Sequence, residues 1–176
     1  MNTLIFDTET TGLLMKAAPI ERQPKITEFF GLILDSDMKE DSTLHYYFNP
    51  GFAISDEISR ITGLKNEALA LSPKYELHAA RIKNLIESVD VVVAHNLSFD
   101  LAMINCESWR CNLKIEWPRL CCTIESTEFI KGYRMSLAEL HEYLFAESFS
   151  GAHRAENDVR ALARCYIEMK KRGIVA

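Results

Sequence analysis

The chain has 176 residues, of which 48% are hydrophobic and 26% charged, and its formal net charge is −5. This length suits one well-packed domain and is short for two, so we expect a single domain over residues 1–176. The composition excludes a disordered chain, no apolar stretch is long enough to cross a bilayer, and the acidic balance argues against long-range electrostatic attraction of polyanions.

Strand signals dominate the first third of the chain, and helix signals dominate the rest. Apolar and β-branched runs predict strands at residues 2–6, 26–35, 43–48, 90–94 and 119–122. Helices are predicted to begin near Ser55, after Pro73 and near Ser98, and two or three more complete the chain, the last at residues 155–171. The first three strands favour an antiparallel meander, and the later alternation predicts an α/β fold with a mixed central sheet flanked by helices.

Targeting and cysteine signals point to a cytoplasmic protein. The N-terminus has no basic region, and Asp7 interrupts its apolar run, so no secretory signal is expected. Five cysteines without regular spacing do not form a disulfide framework. A zinc site from Cys106, Cys111, Cys121 and Cys122 is the alternative, but no CxxC pair or histidine cluster accompanies them, and buried free thiols are predicted.

Asp7 and Glu9 come at the end of the first predicted strand, in the sequence DTETTG. Strand alternation places both carboxylates on the same face. Thr10, Thr11 and Gly12 follow, and such small residues suit a backbone that a ligand approaches closely. A turn with solvated acids is the alternative, and for this segment alone it is the simpler interpretation.

Asp100 opens the helix that follows the strand at 90–94, with His95 and Asn96 in the connecting loop. The helix macrodipole alone favours an acid there. However, Met103 and Ile104 lie on the same side of that helix and turn Asp100 partly inward.

Asp158 lies on an apolar stripe of the last predicted helix. The residues that continue its face at helical spacing are Leu162, Cys165, Tyr166 and Met169. A solvated surface acid would not share that stripe. His153 comes just before the helix, where its imidazole can reach the same region.

Four carboxylates without a cysteine form the oxygen-rich ligand set that Mg²⁺ or Mn²⁺ prefers. Two such ions about 4 Å apart can bind the attacking and leaving oxygens of a phosphodiester. A histidine nearby is suited to accept a proton from the attacking water. The divalent ions would also offset most of the negative charge where a phosphate has to bind.

The pattern DxE, HNxxFD and HxAxxD, at residues 7–9, 95–100 and 153–158, resembles the DEDDh family of 3′–5′ exonucleases. Residues 23–28 and 61–64 are similar to the second-strand entry and the short helix-and-turn segment of that family. Residues 151–166 resemble its stand-alone, often phage-carried members. The resemblance covers essentially the whole chain and implies a ribonuclease-H-like exonuclease fold.

The resemblance also implies roles for individual residues. Two Mg²⁺ ions, for which Mn²⁺ can substitute, would be held by four ligands, namely Asp7, Glu9, Asp100 and Asp158. Asp7 would bridge the ions, and His153 would be the general base. Substrate contacts would come from Thr10, Thr11, Gly12, Leu13, Asn96 and Phe99. Of these, Phe99 is expected to pack mainly in the core, and His95 is interpreted as structural. Without acid neighbours in the sequence, three histidines are predicted to lie on the surface: His45, His78 and His141.

The implied function is a metal-dependent exonuclease that releases nucleoside 5′-monophosphates from 3′ ends, with single-stranded DNA favoured. The alternatives are a 3′–5′ exoribonuclease and a non-catalytic nucleic-acid-binding module, which would not need the base. A structural domain with solvated acids conflicts with the stripe around Asp158. No membrane partner is expected. The extension that tethers some members to a polymerase is not seen, which favours a free-standing enzyme, and the oligomeric state stays open.

Overall fold

A computed structural model describes residues 1–149 and 153–175. Residues 150–152, which include the first two of the family-like segment 151–166, and residue 176 lie outside the described residues. Five strands form one mixed sheet: β1 (Thr3–Thr10), β2 (Ile26–Leu34), β3 (Glu40–Tyr47), β4 (Val91–Ala94) and β5 (Arg119–Cys122). Their order is β3-β2-β1-β4-β5. The pairs among β1, β2 and β3 are antiparallel, whereas β4 pairs in parallel with β1 and with β5. The predicted meander and mixed sheet are confirmed.

Seven α-helices accompany the sheet in the described part of the chain: α1 (Asp56–Thr62), α2 (Asn66–Leu71), α3 (Ala79–Glu87), α4 (Leu97–Arg110), α5 (Thr123–Lys131), α6 (Leu137–Phe145) and α7 (Ala155–Lys171). The prediction missed α2, whose six residues are too few to show a helical period. The single helix predicted after Pro73 is divided into a 3₁₀ turn at Tyr75–Leu77 and α3.

The sheet has a hydrophobic core on each face because successive side chains of a strand point to opposite sides. Leu4 and Phe6 of β1 pack on the face covered by α3 and α4. Ile5 of β1 packs on the other face, against Val159 and Tyr166 of α7. Asp7 and Glu9 continue the row of Ile5, so β1 directs both carboxylates toward the side of the sheet that α7 covers.

The cysteines are free thiols, buried at Cys106 and Cys165 and partly buried at the other three positions. The group of potential metal ligands found among the described residues contains carboxylates alone and no cysteine. Within residues 1–149 and 153–175, none of the helices is both long and apolar enough to cross a membrane.

Candidate active site

Three of the four predicted metal ligands come together where β1 meets the start of α7. Potential ligand atoms of Asp7, Glu9 and Asp158 all lie within 4.8 Å of one another. Both β1 acids lie inside the strand rather than beyond its end, because pairing with β2 extends β1 to Thr10. Asp158 comes from the first turn of α7. We call these three residues the carboxylate group.

Asp100 lies beside the carboxylate group and is held by β1. Its side chain is buried, with the residue only 2% exposed. The Oδ1 atom accepts hydrogen bonds from the Thr8 hydroxyl at 2.8 Å and from the Thr8 backbone N–H at 3.2 Å. The inward orientation predicted for Asp100 is therefore complete, whereas Asp158 is only partly buried because it faces a cleft.

Burial, reinforced at Asp7 and Glu9 by the charges of neighbouring acids, disfavours ionisation of these carboxyl groups. Burial, followed by the charges of Asp100, Glu9 and Asp158, raises the pKa of Asp7 well above its usual range. Burial and then Asp158 raise the pKa of Glu9 to about 8, and burial raises the pKa of Asp100 to about 7. Carboxylates confined together out of water are stabilised by a bound cation, so the residues present fit divalent metal ions.

His153 precedes α7 by two residues, as predicted, and its side chain lines the same cleft as Asp7 and Asp158. Its backbone has a φ of 67°, a left-handed conformation that is uncommon for a residue other than glycine. The His153 N–H donates a hydrogen bond to Asp158 Oδ2 at 2.9 Å. The candidate base is thus tied directly to one of the candidate ligands.

Two adjoining cavities surround the acids. One, of about 660 Å³, is lined by Asp7, Asp158 and His153 together with Asn96 of the β4–α4 connection. The other, of about 610 Å³, is lined by residues 8–13, at the end of β1 and just beyond it, and by residues of α1. Leu13 and Phe99 line both cavities and lie at their boundary.

All six predicted substrate-contact residues line one or both cavities: Thr10, Thr11, Gly12, Leu13, Asn96 and Phe99. Leu13 is 81% exposed, which leaves its side chain free to contact a ligand. Phe99 packs against the core, as predicted, and also presents a surface to the cavities. Hydrogen bonds from the Thr10 hydroxyl to the Gly12 carbonyl (2.7 Å) and from the Thr11 N–H to the Lys25 carbonyl (2.9 Å) hold this turn.

His95 has contacts consistent with a structural role. Its Nδ1 lies 2.9 Å from the Thr123 hydroxyl and its Nε2 lies 3.1 Å from the Met135 carbonyl. Burial lowers the pKa of His95 to about 4, so the ring is neutral at pH 7. It joins the end of β4 to α5 and to the segment that leads into α6.

The surface prediction is wrong for His141, whereas His45 and His78 are partly exposed. His141 is buried, and its Nδ1 donates to the Glu147 carbonyl at 2.8 Å. A signal existed, since His141 follows Leu137 by four residues on the apolar face of α6. His45 does have an acid neighbour, because its Nε2 donates to Glu28 Oε1 at 2.8 Å. His78 stacks on Tyr46 with ring centroids 4.1 Å apart.

Glu28 is a buried acid for which no role was predicted from the sequence. Its side chain has no solvent exposure, and it lies directly opposite Glu9 in the β1–β2 ladder. The carboxylate is bound by His45 and by Arg154. The available signal was a glutamate inside the otherwise apolar strand ITEFFGLIL.

A mixed sheet whose central strand carries paired acids, completed by an acid from the last helix, is the architecture of a ribonuclease-H-like nuclease. The chain belongs to the exonuclease family, whose RNase_T model matches residues 4–166. The DNA polymerase III subunit epsilon of Buchnera aphidicola subsp. Acyrthosiphon pisum (strain APS) is 28% identical over 172 residues, covering 95% of this chain and 72% of that protein. The 3′-5′ exonuclease DinG of Staphylococcus epidermidis is 31% identical over 131 residues, which are 72% of this chain and 14% of DinG.

Solved structures show the same fold. The nuclease domain of 3′hExo, a DEDDh family member bound to rAMP, matches with a TM-score of 0.79 at 18% identity, over 98% of this chain and 93% of that one. Exonuclease X in complex with 5′ overhanging duplex DNA matches with a TM-score of 0.68 at 23% identity, over 97% and 93% of the two chains. The resemblance to DEDDh enzymes is confirmed, and the protein is a 3′–5′ exonuclease, a hydrolase whose family implies a divalent metal ion.

Proposed function

We propose that the protein removes nucleoside 5′-monophosphates one at a time from the 3′ end of single-stranded DNA. In this proposal two Mg²⁺ ions, replaceable by Mn²⁺, bind at Asp7, Glu9, Asp100 and Asp158, and His153 is the general base. The observation that carries the proposal is the shared cleft, in which Asp7 and Asp158 lie beside an exposed histidine. A domain that only binds nucleic acid has no need of that combination.

The arrangement of the acids supports two ions rather than one. Three carboxylates form the carboxylate group, and Asp100 is close enough to Asp7 for its charge to raise the Asp7 pKa. When bound, divalent ions would lower the pKa of a water molecule and neutralise charge that develops on the phosphate. Thr8 holds Asp100 in place by two hydrogen bonds, so this ligand needs little reorganisation.

The residues of the chain provide the proton transfer and the positioning. The His153 imidazole is exposed in the cleft, where it can accept a proton from the attacking water. The two cavities can hold the terminal nucleotide and the one before it, with Leu13 and Phe99 available for contact with bases. Such positioning at a chain end accounts for release of single nucleotides.

DNA is favoured because the relative from Buchnera is a DNA polymerase subunit by name. The runner-up is a 3′–5′ exoribonuclease that trims RNA, and it is supported by fold similarity to a 3′-exonuclease solved in 3′-end specific recognition of a histone mRNA stem-loop. Cytoplasmic residence stays a prediction from the sequence.

The test is 3′ shortening of matched 5′-labelled DNA and RNA oligonucleotides with Mg²⁺, with Mn²⁺ and with chelator. We expect faster shortening of DNA, none with chelator, and a loss of at least about 10³-fold in Asp7→Asn and in Asp158→Asn. The matched control is Asp37→Asn, an exposed acid in the β2–β3 turn, which should retain full activity. Faster shortening of RNA would support the runner-up. Substantial activity in either ligand variant would overturn the assignment, and binding without any product would identify a binding module.

A further inference from the structure

One strand further along the sheet from Glu9, a second polar cluster connects β2 and β3 to the start of α7. It consists of Glu28, His45, Tyr47 and Arg154, and we call it the Arg154 cluster. Glu28 of β2 lies opposite Glu9 of β1 on one side and opposite Tyr47 of β3 on the other. These three residues therefore form one row on the α7 side of the sheet. None of the four is included in the carboxylate group.

The contacts within the Arg154 cluster use both oxygens of the buried Glu28. His45 Nε2 donates to Oε1 at 2.8 Å, and Arg154 Nε donates to Oε2 at 3.4 Å. The Arg154 guanidinium also donates from Nη2 to the Tyr47 hydroxyl at 2.7 Å. The planar guanidinium can contact both partners at once, which an ammonium group could not do with the same geometry.

Arg154 is also part of the backbone that carries the candidate base. It directly follows His153, and its carbonyl accepts the Asp158 N–H at 3.0 Å as the N-cap of α7. His153 in turn donates its N–H to Asp158. The left-handed backbone of His153 is strained and persists only where surrounding contacts hold it. Arg154 is anchored to two strands and supplies such a contact.

We propose that Arg154 is a positioning residue for His153. Its bonds to Glu28 and Tyr47 hold the turn at residues 153–154 so that the imidazole faces the cleft. The inference rests on the proposed function and adds a determinant of kcat that lines neither of the two cavities and lies outside the carboxylate group.

The same helix offers a matched control. Arg160, on α7, donates to Glu156 at 3.0 Å and to Glu40 of β3 at 3.2 Å. It therefore also ties α7 to the sheet, but nearly two turns away from His153. If Arg154 merely attached the helix to the sheet, loss of either arginine would have the same consequence.

The experiment measures kcat and KM on a 5′-labelled single-stranded DNA oligonucleotide for Arg154→Ala, Arg154→Lys and Arg160→Ala. We expect Arg154→Ala to lower kcat about 10- to 100-fold with KM within about threefold, because a small displacement of a catalytic group has effects of this size. Arg154→Lys should restore kcat only in part. Arg160→Ala should stay within about twofold of wild type in both parameters.

Repeating Arg154→Ala in a His153→Ala background tests whether Arg154 affects kcat through His153. With the base removed, we expect the second substitution to lower kcat by less than about twofold, because the two residues act as one unit. An equal loss in both backgrounds, or a change in KM alone, would overturn the positioning role. If the Arg154→Ala protein does not fold, Tyr47→Phe takes its place, because it removes one bond that anchors Arg154 and leaves no buried charge unpaired. An unchanged kcat in Tyr47→Phe would then overturn the proposal.

The same kinetic measurements distinguish a failure of the proposed function from a failure of the positioning role. Full activity in His153→Ala alone would refute the base assignment and, with it, both proposals. A large loss in His153→Ala combined with additive effects of Arg154→Ala would refute the positioning role alone.

Discussion

Glu9→Gln is expected to stabilise the metal-free protein while abolishing its activity. Burial and Asp158 raise the pKa of Glu9 from its usual 4.5 to about 8. Between these two values the folded protein holds a proton that the unfolded chain has released. The stability associated with this group is therefore fully present below pH 4.5 and is lost as the pH rises toward 8. Glutamine has the same shape and does not titrate, so the variant avoids this loss.

Between the two pKa values, 4.5 and about 8, each pH unit lowers the free energy of unfolding of wild type by about 1.4 kcal/mol. Above the pKa of the folded state, the loss no longer grows. Relative to wild type, Glu9→Gln should raise the free energy of unfolding by less than about 1 kcal/mol at pH 5 and by about 3 kcal/mol at pH 7. At pH 9 the gain should approach about 5 kcal/mol. For a chain of this length, about 3 kcal/mol corresponds to a rise in Tm of about 6–12 °C.

The assay is urea unfolding followed by circular dichroism at pH 5, 7 and 9, with chelator present throughout. Glu67→Gln, which replaces an exposed glutamate of α2, serves as the control and should follow wild type at every pH. Mg²⁺ at about 1,000 times Kd should reverse the order at pH 7, because such binding stabilises wild type by about 4.1 kcal/mol and the variant has lost a ligand. A difference between Glu9→Gln and wild type that does not change with pH would refute the raised pKa of Glu9 on which the prediction depends.

Three further predictions concern Phe99, Thr8 and Arg110. Phe99→Ala should raise KM about tenfold by removing a surface for base contact, whereas Phe129→Ala, at a 91% exposed ring that lines neither cavity, should leave KM unchanged. Thr8→Val should lower kcat about tenfold while Thr8→Ser retains it, because Asp100 needs the hydroxyl donor; equal activity of the two variants would contradict this. Arg110→Ala should destabilise the fold by about 3 kcal/mol in urea unfolding, since Arg110 pairs with a buried glutamate and donates to three carbonyls of the loop after β1.

Local sequence patterns were sufficient for much of the fold. Alternation and β-branched runs predicted all five strands, and the stripe of apolar residues in α7 identified its buried face. The spacing of Asp7 and Glu9 correctly placed both carboxylates on one side of β1. These features depend on the 2.0 and 3.6 residue periods, which are readable within a short segment. The extension of β1 beyond Phe6 was missed because it depends on pairing with β2.

The sequence by itself determined which residue types are available, their order and the faces on which they lie, and these were enough to indicate the family. Only the tertiary structure decided their partners. The bond between Thr8 and Asp100 joins residues 92 positions apart, and the bond between Glu28 and Arg154 joins residues 126 positions apart. Such pairs depend on strand register and on how α7 crosses the sheet, and a local period contains no information about either. For the same reason His45 and Glu28 became neighbours of the active site only in the folded chain.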